Sequence, residues 1–157
     1  LASGASQNFA NNTPAFYARK TGNQTMSRGT ITKLTTFTTD EIDTDSAFDG
    51  TTFTVPVAGK YLFGAQFRGY FGDAGNDGEV GHAYLYKNGS VYAQNLFQMS
   101  GSARQMSTVS PIIHVIMDCA VDDTVEFYAR IADNTASGTL RITETQTFFQ
   151  GFKLIGV

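Results

Sequence analysis

From Phe53 to Phe63 the chain reads Phe-Thr-Val-Pro-Val-Ala-Gly-Lys-Tyr-Leu-Phe, two alternating apolar runs joined at a Pro–Gly corner. Phe53, Val55 and Val57 share one phase; Tyr61, Phe63, Ala65 and Phe67 restart it. That is the period of strands with one buried face. Pro56 lacks a backbone N–H, so its strand lies at an edge or near its end. Gly59 suits the positive φ of a tight reversal. The two runs are expected to form one antiparallel unit, and the rest of the chain reads as more of the same.

Composition points the same way. The 13 Phe and 7 Tyr favour strands, and no stretch holds a helical period of useful length. A hydrophobic fraction of 41% with 16% charged residues excludes intrinsic disorder. The 157 residues suffice for one domain with a real core. The net charge is −3 with no cluster of Lys and Arg, which argues against nucleic acid as a partner. No apolar run approaches the roughly 20 residues that cross a bilayer. Cys119 is the only cysteine; it forms no internal disulfide and reads as a buried small apolar residue. Residues 1–12, rich in Ala, Ser, Gly and Asn, read as a linker or the end of a stalk. The start at Leu1 suggests a processed product or an excerpt of a longer polypeptide, with residues 13–157 as its head.

Strands are predicted at 14–18, 31–39, 60–71, 79–87, 90–97, 109–117, 124–131 and from about Leu140 to the terminus. Asp40 to Asp45 and Gly72 to Gly78 read as acidic loops. Asn88-Gly89 is the strongest hairpin signal, because both central positions of a type I′ turn need positive φ. Short strands with frequent turns indicate an antiparallel β-sandwich or barrel.

Two strands do not alternate. Between Val109 and Met117 one face carries Val109, Pro111, Ile113, Val115 and Met117, and the other Ile112, His114 and Ile116. Between Phe148 and Val157 one face carries Phe148, Phe152 and Leu154, and the other Phe149, Ile155 and Val157. A strand apolar on both faces must be covered on both. A partner subunit is the economical cover, with loops or a further layer of the same chain as the alternative. Ile112, His114, Ile116, Phe149 and Ile155 are the candidate contacts.

Several segments, in order, resemble the C1q-like globular head of the C1q/tumour-necrosis-factor superfamily. They are Pro14-Ala15-Phe16-Tyr17-Ala18, then Phe48-Asp49 with Phe53-Thr54-Val55-Pro56 and Gly59-Lys60-Tyr61-Leu62-Phe63. Leu85-Tyr86-Lys87-Asn88-Gly89, Asp122-Asp123-Thr124-Val125 and Phe149-Gln150-Gly151-Phe152-Lys153-Leu154 follow. The resemblance covers about Pro14 to Val157. It implies an all-β jelly-roll sandwich assembling as a homotrimer, a head on a stalk that binds ligands without catalysis. Residues 1–12 hold no Gly-X-Y run, so a collagen stalk has no support within this stretch. In style the chain is similar to the tips of bacteriophage or other viral fibres, located on a virion and engaging a host receptor or glycan. The other readings are a secreted extracellular lectin, defence or signalling head, and a purely structural trimerisation domain.

Candidate chemistry is sparse. The resemblance implies either no cofactor or calcium near the apex, with Asp73, Asp77 and Glu79 as oxygen donors alongside Asn76. The bland reading is a solvated loop, because the spacing is not that of an EF-hand. His82 and His114 lack a metal-ligand neighbour in sequence. His114, among Ile and Val, reads as a core or interface histidine that would make assembly acid-sensitive. Gly-x-Ser-x-Gly, His-Glu-x-x-His and phosphate-loop motifs are absent, so no enzyme is expected. Tyr70, Phe71, Tyr84, Tyr86 and Tyr92 are the candidate ligand-binding aromatics.

Overall fold

The computed structural model of the chain describes residues 13–72, 78–99, 106–134 and 139–155. Strands are numbered along the chain. One sheet runs in the order β10 (Ile112–Cys119), β6 (Gly59–Tyr70), β12 (Arg141–Lys153), β1 (Ala15–Lys20) and β4 (Phe37–Asp43). Short β2 (Gln24–Thr25) adds to β12, and β9 (Thr108–Val109) to β6, which makes seven strands. The second sheet has the order β3 (Thr32–Lys33), β11 (Thr124–Asp133), β7 (Gly78–Lys87) and β8 (Ser90–Gln98). There β5 (Thr52–Thr54) adds to β11, giving five. The described pairings are antiparallel. The architecture is the all-β antiparallel jelly-roll sandwich.

The aromatic residues make the core between the sheets. Phe16 on β1 stacks on Phe48 at 4.9 Å and on Phe53 at 4.7 Å, and meets the edge of Phe149 at 4.9 Å. Phe127 on β11 reaches Phe149 on β12 at 6.0 Å, tying the sheets together. Cys119 is buried and free; burial pushes its thiol up to about 11, as expected for a packed, unreactive cysteine.

The Pro–Gly corner is a crossover, not a hairpin. β5 pairs with β11 in the five-stranded sheet, while β6 pairs with β10 and β12 in the other. The backbone of Val55 exchanges hydrogen bonds with the 122–123 turn. The Tyr61 hydroxyl closes the corner by donating to the Val57 carbonyl at 2.6 Å. The alternation of both runs survives because Phe53 faces Tyr61 and Phe63 across the core, at 5.9 and 5.7 Å. The stretch 31–39 likewise divides between sheets: β3 pairs with β11 and β4 with β1, with Thr36 at φ 60° between them. Part of the predicted 40–45 loop is strand, since β4 continues to Asp43. The Asp43 carboxylate accepts from the backbone N–H groups of Ala47 at 3.0 Å and Phe48 at 3.4 Å, holding the turn that follows. Asn88 and Gly89 take φ of 50° and 75° between β7 and β8, the geometry that a type I′ turn requires.

Candidate functional site

The register of the seven-stranded sheet sorts its residues into a core face and an outer face. Successive side chains alternate across a strand, so outer residues on neighbouring strands fall into rows. One row runs Ile116, Leu62, Phe152, Ala15; the next runs His114, Gly64, Gln150, Tyr17, Ile42; a third runs Ile112, Gln66, Phe148, Arg19. Ile116 is 55% exposed, Ile112 42% and Ile42 45%, and Leu62, Phe148, Phe152 and Tyr17 are half-buried. This is a broad apolar sheet face open to solvent.

Its centre is shaped around a glycine. A Cβ on Gly64 would lie 2.6 Å from Cδ2 of His114 and 3.1 Å from the Gln150 amide nitrogen. The imidazole therefore lies over the bare Gly64 backbone. Ile112, His114 and Ile116 all stand on this face. Phe149 does not: it is wholly buried in the core. Its strand presents Phe148, Gln150 and Phe152 outward instead, because the pairing of Phe148 with Gln66 sets the opposite phase. Ile155 lies past the end of β12 and is 47% exposed.

A second apolar surface runs along the sandwich edge, where β8 and β10 approach each other. Val91, Tyr92, Leu96 and Phe97 on β8 are all exposed. The Tyr92 hydroxyl donates to the Ile116 carbonyl at 3.4 Å, and the Asn95 amide to the Ile112 carbonyl at 2.6 Å. Beside them opens a cavity of about 390 Å³ between Phe97, Met106 and Pro111.

The five candidate aromatics do not converge. Tyr70 is on the outer face of β6, with the Arg141 guanidinium 4.4 Å from its ring centre. Phe71 is a core residue, 3% exposed; its backbone N–H is anchored to Ser107. Tyr92 is at the β8 edge. Tyr84 and Tyr86 share the outer face of the five-stranded sheet with a residue that sequence reasoning missed, Tyr128, which stacks on Tyr86 at 4.1 Å. The signal was present: Glu126, Tyr128 and Arg130 alternate against buried Val125, Phe127 and Ala129. On this face His82 Nδ1 and the Tyr84 hydroxyl share a hydrogen bond of 2.7 Å. Burial, and secondarily Arg130, push the His82 imidazole down, and burial pushes the Tyr84 and Tyr128 phenols up. Lys33 bridges Glu126 at 2.5 Å and Thr52 at 2.7 Å. The arrangement is an aromatic and polar face in which, among the described residues, the buried Nε2 of His82 has no hydrogen-bond partner.

For calcium, Asp73, Asn76 and Asp77 lie outside the described residues. Glu79 opens β7 and accepts the Met99 N–H on its backbone carbonyl at 2.9 Å. Among the described residues no three of His, Cys, Asp and Glu gather as metal ligands, and no helix is long and apolar enough to cross a membrane.

No family model and no curated protein matches the chain. Solved structures do. Murine APRIL at pH 5.0 superposes with a TM-score of 0.62 at 12% identity, over 89% of this chain and 98% of its own. The Eiger TNF of S. frugiperda gives 0.60 at 15% identity, over 89% and 91%. The globular domain of zebrafish complement 1qA gives 0.57 at 14%, over 90% and 97%. The fold of this chain is thus that of tumour-necrosis-factor and C1q globular heads.

Proposed function

We propose that the chain is a non-enzymatic recognition head that works as a homotrimer, with residues 13–157 as the head and 1–12 as the end of a stalk. The observation that carries this reading is the open apolar face of Leu62, Ile112, Ile116, Phe148 and Phe152. A contiguous exposed apolar surface of this kind marks a place where another surface docks. A ring closed by threefold rotation joins two different patches, one from each neighbour. The sheet face and the β8–β10 edge supply two such patches on one protomer. The TNF-like and C1q-like fold supports the same assembly.

Three heads on one axis convert weak single-site binding into avidity. The role that follows is a viral or phage fibre tip, on a virion, that engages a host receptor or surface glycan. The deciding experiment is molecular mass in solution by light scattering, with calcium and with chelator. A calcium-independent trimer supports the reading. A trimer that loosens on chelation adds a metal to it, and a stable monomer overturns it.

A further inference from the structure

Asn88 is the one asparagine in the chain that glycine follows, and at such a pair the backbone can attack the side chain before it. The attack joins the Gly89 backbone nitrogen to Cγ of Asn88 and breaks the Cγ–Nδ2 bond. The nitrogen gives up its proton and Nδ2 leaves as ammonia, so a cyclic imide closes across the turn. Water then opens the imide. Addition at the side-chain carbonyl gives aspartate, and addition at the backbone carbonyl gives isoaspartate. No oxidation or reduction is involved, and solvent supplies the only co-reactant. Glycine permits the reaction because no Cβ shields its nitrogen. Here a Cβ on Gly89 would meet nothing within 4 Å, and Asn88, Gly89 and Ser90 are exposed.

What restrains Asn88 is the turn that begins β11. Its Nδ2 donates to the Asp123 carboxylate at 2.7 Å, and its Oδ1 accepts the Thr124 N–H at 2.9 Å and the Thr124 hydroxyl at 3.4 Å. The Asn88 backbone N–H donates to the Thr124 carbonyl at 3.0 Å. Both ends of the side-chain amide are thus held by another turn, whereas attack needs Cγ to swing onto the Gly89 nitrogen. Two effects oppose each other. A hydrogen bond on Oδ1 draws electrons from Cγ and favours attack, as an oxyanion hole does; a group held out of line disfavours it. Asp123 tips the balance because it is itself fixed. It pairs with Lys87 at 2.9 Å and accepts the Ala120 N–H at 2.7 Å, and bonds to an ionised group are the strong ones. The turn lies past the ends of β7 and β8, and its partners belong to the start of β11, not to the outer face of the seven-stranded sheet.

We propose that Asn88 is a deamidation site held shut by its bonds to Asp123 and Thr124, and that its conversion unlatches the β7–β8 hairpin from β11. Aspartate at 88 sets a carboxylate against that of Asp123 in place of a donor. Isoaspartate also adds a backbone carbon to a two-residue turn whose geometry sets the pairing. The proposal is independent of the recognition-head reading. The test is ageing of the intact chain in mildly alkaline buffer, folded and in urea, with peptide mapping by mass spectrometry for aspartate and isoaspartate at 88. The folded wild type should convert at least about tenfold more slowly than the same chain in urea, the scale of a hydrogen bond to a charged group. Asp123→Ala, checked for folding by circular dichroism, should lose most of that protection. Lys87→Met, which frees Asp123 from its ion pair and leaves Asn88 untouched, gives the same test should Asp123→Ala not fold; it should speed conversion several-fold. Asn88→Asp, which makes the product directly, should shift the unfolding equilibrium in urea about tenfold toward the unfolded chain. Adding Asp123→Asn restores a donor opposite the new carboxylate and should recover most of that loss. Folded and unfolded wild type converting at one rate overturns the proposal, as do folded variants that convert no faster than wild type. Asn88→Asp as stable as the wild type overturns the unlatching.

Discussion

The side-chain amide of Asn88 donates through Nδ2 to Oδ1 of Asp123 at 2.7 Å, while its side-chain oxygen Oδ1 accepts the Thr124 N–H at 2.9 Å. Two turns far apart in sequence are clasped by this exchange. Asp123 also accepts the Ala120 N–H at 2.7 Å and pairs with Lys87 at 2.9 Å. The hairpin turn of β7 and β8 is thereby fixed to the turn that starts β11.

These bonds hold the Asp123 carboxyl down at about 2, the Asn88 hydrogen bond first among the causes, then Lys87 and the Ala120 N–H. A carboxyl with a depressed folded value stabilises the fold above its unfolded value of 3.8. That contribution is lost as pH falls through about 2. Asp123→Ala should cost roughly 2 kcal/mol at neutral pH, the scale of hydrogen bonds to a charged group. Its deficit relative to wild type should shrink as pH drops from 4 towards 2. Urea unfolding across that range checks it; a deficit independent of pH would contradict the clasp.

Neighbours on β12 should separate folding from assembly. Phe149→Ala removes a wholly buried ring and should cost about 3–5 kcal/mol of unfolding free energy. Phe148→Ala removes a half-buried ring on the outer face, so it should leave the monomer much nearer wild type and lower the measured mass at a given concentration. Equal losses of stability from the two would refute the face assignment.

Gly64→Ala tests the seat of His114. The new methyl displaces an imidazole that is free to swing outward in the monomer, so the stability cost should fall below the roughly 1–3 kcal/mol of an overpacked core. Dissociation should become at least about tenfold easier, since the displaced ring no longer lies in the plane of the face. Light scattering over a dilution series checks it, and a Gly64→Ala mass that tracks the wild type at every concentration sinks the idea.

Much of this architecture was legible in the sequence, and the failures have physical causes. Asn88-Gly89 announced its turn because few residues tolerate two positive φ values in succession. The Pro56–Gly59 corner announced a change of direction, yet alternation is blind to which sheet a strand joins, and β5 and β6 parted. For β10 the outer face held Ile112, His114 and Ile116, and the one polar residue told the faces apart. For β12 Phe148 and Phe149 are chemically identical, so the choice depended on a register that only pairing with Gln66 fixes. The bulge of β12 at 144–147, between the pairings of Thr143 with Arg68 and of Phe148 with Gln66, carries no Gly or Pro to mark it. Tyr128 was visible by its phase against Phe127 and needed only the pairing of β11 with β7 to place it beside Tyr86.

Lys20 gives the last test. It is 3% exposed, and its ammonium donates to the Thr35 carbonyl at 2.6 Å, the Thr36 hydroxyl at 2.8 Å and the Gln24 side chain at 3.3 Å. All three acceptors are neutral, so burial pushes the amine from 10.5 down to about 8. Between those values the unfolded chain holds a proton that the folded one has released, so stability rises with pH. The contribution is complete above the unfolded value and is lost as pH falls through about 8. Tyr61 and Cys119 pull the other way, because burial raises them to about 12 and about 11. The folded chain then keeps protons that the unfolded one has lost. The difference between wild type and Lys20→Met cancels both of those groups. Unfolding in urea from pH 8 to 10.5 should show that difference moving steadily in favour of the wild type. A flat difference would mean that the three hydrogen bonds hold the charged form as well as water does.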